Sequence, residues 1–241
     1  MKKNFFVLLG AIIMLLVSCN SGKHQIIFTG ELDENIESTI SLYKVTPDGS
    51  LMIDSAPIEK GKFKLKTKIS EKDLKDYPSF YKISLSNNNL ILTVASPGET
   101  IHIKANAKSL VKTYTISGGK DAVLMQQLDH QLKLFVDSTD ALQKIYENNQ
   151  YDDSVKTIIE SKYQGYIANH QKFLIHFIEN NLTSLTSLTA FYQKFNRRVF
   201  IQESENLPLL TKLANSLHNS YPENPNVVFI KDRIKTLSEK K

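Results

Sequence analysis

From residue 24 to residue 116 the pattern is that of strands, short runs most of which alternate apolar with polar residues at a period of two. The runs are 25–29, 39–45, 62–69, 81–85, 90–94, 100–104 and 112–116. Period two sends successive side chains to opposite faces, so each run predicts a strand with one buried and one wet face. Turn residues separate the runs: Pro47-Asp48-Gly49, Glu59-Lys60-Gly61, Asn87-Asn88-Asn89 and Pro97-Gly98. Proline presets φ and glycine accepts positive φ, which is what tight turns demand. Short strands at this spacing predict an antiparallel β-sandwich or a partly open barrel.

Gly118-Gly119 closes that half, and after Asp121 the period becomes helical. Leu124, Leu128, Leu132, Phe135, Leu142 and Tyr146 form one apolar stripe. Val155, Ile158, Tyr163, Tyr166, Ile167, His170, Phe173, Leu174 and Phe177 form a second. Each predicts an amphipathic helix, with residues 148–153 as the polar turn between them and Asp153 as the N-cap of the second. Three shorter helices follow: one marked by Leu185, Leu188, Tyr192 and Phe195, one by Leu210, Leu213 and Leu217, and one opening at Asn224-Pro225. Short connections predict an antiparallel bundle, and no fixed-period repeat is present. The fold class expected is therefore α+β in two parts, a β-sandwich-like domain over 24–119 and an α-helical domain over 120–241.

The first residues read differently. Met1-Lys2-Lys3-Asn4 is basic, and residues 5–17 are apolar apart from Gly10. As a helix that stretch spans about 20 Å, short of a hydrocarbon core of about 30 Å, so a secretory signal fits better than a membrane span. It ends in Leu16-Val17-Ser18-Cys19, which resembles the lipobox of a bacterial lipoprotein signal peptide. The resemblance implies residues 1–18 as signal, diacylglycerol on the Cys19 thiol, cleavage before Cys19, and residues 19–23 as a lipidated tether. Two or more acyl chains hold a protein stably on a membrane. No acidic cluster follows Cys19. Such clusters resemble surface-export signals, so the expected place is the outer membrane, facing the periplasm.

Charge and cysteine content narrow the function classes. The chain carries +5 at pH 7, and loss of Lys2 and Lys3 with the signal leaves +3, which gives no argument for nucleic acid as a partner. Cys19 is the only cysteine, so an intramolecular disulfide, a Cys-x-x-Cys redox pair and a thiolate metal site are excluded. Phosphate-cradling loops, dinucleotide fingerprints and Gly-x-Ser-x-Gly are missing from the sequence, and no cofactor or metal is expected. His24, His102, His130, His170, His176 and His218 show no ligand spacing. His170 and His176 lie on different faces of one helix, and His170 reads as a core histidine.

The one patterned charge is a lysine comb. Lys60, Lys62, Lys64, Lys66 and Lys68 alternate with Gly61, Phe63, Leu65, Thr67 and Ile69, so a strand puts the lysines on one face. Lys62, Lys64, Lys66 and Lys68 are the candidate contacts to an anionic surface: lipid headgroups, lipopolysaccharide or acidic glycan. The stronger reading of the same comb is a solvated face or a lysine-protected edge strand. Tyr163, Tyr166, Phe173 and Phe177 read as core more readily than as a peptide groove. Asp54-Ser55 reads as a turn that satisfies backbone donors rather than as part of a catalytic dyad, since no histidine is near it in sequence.

Several segments of the β half together resemble a domain of unknown function common in Bacteroidota lipoproteins. They are Phe28-Thr29-Gly30, Ile40-Ser41-Leu42-Tyr43, Asp54-Ser55-Ala56-Pro57-Ile58 through Gly61-Lys62-Phe63, Ser96-Pro97-Gly98-Glu99-Thr100-Ile101 and Ile116-Ser117-Gly118-Gly119. In many relatives a helical segment and then a thioredoxin-like domain follow. This sequence ends at Lys241, where that catalytic domain would begin, and it has no Cys-x-x-Cys. The expectation is a non-enzymatic binding or scaffolding role, with a separate thioredoxin-like protein as candidate partner. A structural lipoprotein without a ligand, and an enzyme whose site is scattered through the sequence, remain the alternatives.

Overall fold

The computed structural model describes residues 25–34, 36–68, 77–148 and 152–239. The signal (1–18), the Cys19 tether (19–23) and His24 lie outside the described residues, as do Ile69 and the side chain of Lys68.

The β half is two four-stranded sheets face to face. The first, sheet A, has the order β4 (Lys62–Lys68), β1 (Gln25–Leu32), β7 (Thr100–Ala105), β8 (Thr115–Ser117). Sheet B has the order β3 (Gly49–Pro57), β2 (Thr39–Thr46), β5 (Ser79–Ser86), β6 (Asn89–Ala95). All pairs are antiparallel except β1 with β7. The inward positions are those of the period-two pattern: Ile26, Phe28, Leu65, Ile101 and Ile103 face Ile40, Leu42, Tyr81, Ile83 and Ile91. Phe28 and Tyr81 meet ring to ring at 5.4 Å. Full burial of each such side chain stabilises the fold by about 1.5–3 kcal/mol. Gly30 is set by packing, because a Cβ there would stand 2.1 Å from the Phe63 ring.

Side chains close both edges of sheet A. On β4, Asp54 Oδ2 accepts from the Lys66 N–H at 2.7 Å, while Oδ1 accepts from the Ser55 N–H. Asp54-Ser55 thus sits on strand β3, where the sequence predicts a turn. Nearly every side chain of this edge strand is exposed or half-exposed, so it lacks a burial alternation to read. A bulge also breaks its period, since Leu42 pairs with Asp54 but Tyr43 with Met52. On β8, Gln126 acts as a missing strand: its Nε2 donates to Tyr114 O at 2.9 Å and its Oε1 accepts from the Ile116 N–H at 3.3 Å. The run at 112–116 opens as a helical turn, α1 (Leu110–Thr113), rather than as strand. Asn89 Oδ1 takes the Leu110 N–H, and Thr113 Oγ1 donates back to Ser109 O, which favours the turn.

Among the described residues five helices follow: α2 (Lys120–Asn148), α3 (Asp153–Asn180), α4 (Thr186–Phe191), α5 (Leu207–Ser220) and α6 (Pro225–Ser238). The cap of α3 is Asp152 instead of Asp153, because Asp152 has the extended backbone and its Oδ1 accepts from the Ser154 and Val155 N–H groups. The helices cover the outer face of sheet B, and Phe80 and Val94 of that face lie in one core with Met125, Leu128, Leu174, Phe191 and Leu213. Asn224 ties the two halves: its Nδ2 donates to Pro78 O at 2.8 Å while its Oδ1 caps α6 at Asn226 N. Not all of the long stripes is buried. Tyr146 and Ile158 are exposed, since α2 buries nothing beyond Leu142 and α3 nothing before Ile167. Among the described residues no helix is long and apolar enough to cross a membrane.

Candidate functional site

The helical half carries a hairpin that the apolar spacing hides. Tyr192 and Phe195 continue the spacing of α4, so the sequence predicts helix to Phe195, yet α4 ends at Phe191. Lys194–Phe195 (β9) then pairs antiparallel with Arg198–Val199 (β10). Asn196 makes the turn with φ of 53°, a conformation asparagine tolerates and a helix forbids. Aromatic packing holds the hairpin down. Phe195 and Phe200 each meet Phe135 edge to face at 5.2 Å, and Phe200 lies 4.5 Å from the His170 ring. His170 is buried and bonds Gln193 through Nε2 at 2.7 Å. Burial holds its imidazole below the usual pKa, so it is a neutral core residue, as its place on the stripe predicts.

With its aromatics turned inward, the hairpin turns Lys194, Arg197 and Arg198 outward. They border a groove of about 1110 Å³ that also runs along Tyr163, Val199 and Leu237. The Arg198 guanidinium lies over the Tyr163 ring at 5.9 Å. On the far wall Arg233 clamps Glu203 through Nε and Nη2 at 2.6–3.2 Å, and the Tyr192 hydroxyl donates to the same carboxylate at 2.9 Å. These bonds hold the Glu203 carboxyl below its usual range. Glu203 is thus an ionised, fully engaged wall rather than a free base. Among the described residues no carboxylate forms an ion pair with Lys194, Arg197 or Arg198. A second cleft, about 760 Å³, lies across the hairpin and shares Tyr163, Phe195, Asn196 and Arg198 with the first. Of the four aromatics of the peptide-groove reading, Tyr163 lines this groove, Phe177 is buried in the core, and Tyr166 and Phe173 are half-buried against it and line a separate cleft of about 170 Å³. The signal in the sequence was Asn196-Arg197-Arg198, a turn-former and two cations where an apolar stripe would place its next turn.

The lysine comb falls on β4, the edge strand of sheet A. Lys62, Lys64 and Lys66 are exposed between the buried Phe63, Leu65 and Thr67. Register adds partners that spacing does not reveal. Across β1, Lys62 faces Glu31, which in turn faces Lys104 of β7. Glu31 binds both, at 3.6 and 3.4 Å. His102 stands beside them, bonded through Nδ1 to Thr29 Oγ1. The outer face of sheet A is therefore open and cationic.

A third cluster lies at the junction of the halves. Asp121, at the start of α2, accepts from Ser184 Oγ, and its carbonyl oxygen accepts from Thr186 Oγ1. Burial raises the Asp121 carboxyl above its usual pKa. Burial also raises Glu99, helped by the neighbouring Asp121 charge. Nearby, Tyr114 donates to Asp129 Oδ2 at 2.7 Å, and burial pushes the Asp129 carboxyl up to about 6. These groups are engaged in hydrogen bonds: Asp121 ties the start of α2 to the segment that opens α4, Glu99 accepts from the Ser96 N–H in its own loop, and Asp129 ties α2 to Tyr114. Among the described residues no group of three or more His, Cys, Asp or Glu is placed to hold a metal.

Residues 26–125 match the family model described as Domain of unknown function (DUF4369). The match spans the β-sandwich from β1 to β8. The match runs past β8 to Met125 and so takes in the start of α2, the part of that helix next to Gln126 and its clamp on β8. The groove at β9–β10 lies outside the DUF4369 match. No curated protein matches the chain.

Proposed function

We propose that the chain is a lipid-anchored protein of the cell envelope, facing the periplasm from the outer membrane, with a binding or scaffolding role rather than a catalytic one. The observation that carries the reading is the outer face of sheet A. Lys62, Lys64, Lys66 and Lys104 are exposed there, with Glu31 as the carboxylate between two of them. Gln25, the first residue of β1 in the same sheet, follows Cys19 by six residues. Six residues reach at most about 20 Å, so a lipid on Cys19 keeps this sheet close to the headgroups. There each lysine gains roughly 1 kcal/mol from an anionic surface, and added salt screens the gain.

Cys19→Ala is expected to abolish palmitate labelling and move the protein out of the membrane fraction; a variant that still labels overturns the anchor. In a chain that starts at Asn20 and so carries no lipid, changing Lys62, Lys64 and Lys66 together to Glu is expected to remove flotation with phosphatidylglycerol vesicles in low salt. Unchanged flotation overturns the role of the face. A separate thioredoxin-like protein is the partner implied by the family resemblance. Crosslinked affinity capture from cells is expected to recover a thioredoxin-fold protein, and recovery of none counts against it.

A further inference from the structure

We infer that the β9–β10 groove is a docking site for an extended acidic peptide segment of a partner protein, one that carries apolar side chains between its carboxylates. The inference goes beyond the anchored reading and stands without it, since the groove belongs to the helical half and not to the lipid or to sheet A.

Three observations converge on that occupant. First, charge: Arg197 and Arg198 are exposed and form no ion pair with a carboxylate among the described residues, while the neighbouring Glu203 is already neutralised by Arg233, with Lys194 close enough to add to its stabilisation. An unneutralised cationic rim attracts an anionic partner and rejects a basic one. Second, the floor is apolar and aromatic. Tyr163, Phe195, Val199 and Leu237 alternate with the cations around the groove, a lining that suits apolar side chains flanked by acidic ones. Third, size: about 1110 Å³ on one side of the hairpin and about 760 Å³ on the other make a longer trough than a compact ligand fills. The hairpin itself is firmly seated through Phe195 and Phe200 on Phe135, so the rim is presented without prior ordering.

The test uses the full chain in detergent and fluorescence anisotropy. The probe is a labelled twelve-residue peptide alternating Glu with Leu and Phe; two controls carry Gln or Lys in place of Glu. The acidic probe is expected to bind, to weaken as salt is raised, and to outcompete both controls. Arg197→Glu with Arg198→Glu, both at exposed positions, is expected to weaken the acidic probe by at least about tenfold with an unchanged circular dichroism spectrum. Tyr163→Ala is expected to weaken it without changing the salt dependence. The triple Lys62, Lys64, Lys66 reversal on sheet A is expected to leave it unchanged, which separates this site from the membrane face. The inference is overturned if the Gln control binds as tightly as the acidic probe, or if the double arginine reversal has no effect. It is also overturned if polygalacturonate binds and the acidic peptide does not.

Discussion

Asp129 shows what burial does to a single side chain. Its carboxyl sits at about 6 because the charged form is poorly solvated beneath α2, with Tyr114 O–H as its hydrogen-bond partner. A raised carboxyl pKa means that the folded chain binds a proton the unfolded chain has released. The resulting stability is fully present below the unfolded pKa, near 3.8, and is lost as pH rises through about 6. Burial raises Asp121 and Glu99 in the same direction, while Glu203, held low by Arg233, works in the opposite sense at more acidic pH. His170, whose imidazole burial holds low, opposes this in the same window, so the Asp129 contribution is read in urea denaturation as the difference in pH dependence between the wild type and Asp129→Asn. Asp129→Asn is expected to remove roughly 1.3 kcal/mol of stability at pH 5 relative to pH 7 while keeping an acceptor for Tyr114. A variant with the wild-type slope overturns the assignment. A second residue-scale case is Thr93, whose hydroxyl is buried in the sandwich without a partner among the described residues. Thr93→Val keeps the shape and removes the orphan, and is expected to stabilise by about 1 kcal/mol in the same denaturation experiment.

At the level of elements, strands carrying an apolar run, alternating as in β1 or near-continuous as in β6, are legible, and the exposed edge strand and the short hairpin are not. β1, β4 and β7 alternate cleanly because one side of each packs on the sandwich core and the other is wet. β3 was missed because it is an edge strand with neither face buried. The β9–β10 hairpin was missed for the opposite reason: Tyr192 and Phe195 kept helical spacing by coincidence, and only the positive φ of Asn196 redirects the chain. The hairpin is tied to the helices through Phe200, buried against Phe135 and His170. Phe200→Ala is expected to cost about 3–5 kcal/mol and to speed hydrogen exchange at residues 194–199 more than in β1 or β7. Equal changes in the sandwich would mean that the hairpin is not an independent element.

For the whole molecule, the decisive fact is that one sheet feeds two cores, the sandwich interior and the core of the helices. Phe80 and Val94 point out of the sandwich into the helical core, so the β5–β6 side of sheet B is buried on both faces while sheet A keeps one face open. Asn224 adds a polar tie, since one side chain satisfies Pro78 O and caps α6. Far-ultraviolet and tyrosine signals are therefore expected to unfold in one coincident transition. Asn224→Ala is expected to lower its midpoint by the equivalent of about 1–2 kcal/mol. Two separated transitions in the wild type would show that the helical half folds on its own account.

By itself the sequence determined the α+β division, the strands with a burial contrast, the two long helices, the core place of His170 and the alternation of Lys62, Lys64 and Lys66. These follow from local periodicity, which a chain carries wherever it sits. Tertiary structure alone decided which sheet face the helices cover, that Glu31 and Lys104 join the lysine face, and that Asp54 and Gln126 close the edges of sheet A. It also decided that Arg198 and Tyr163, 35 residues apart in sequence, line one groove. Each of those pairings joins residues distant along the chain, and a contact between distant residues leaves no period in the sequence to read.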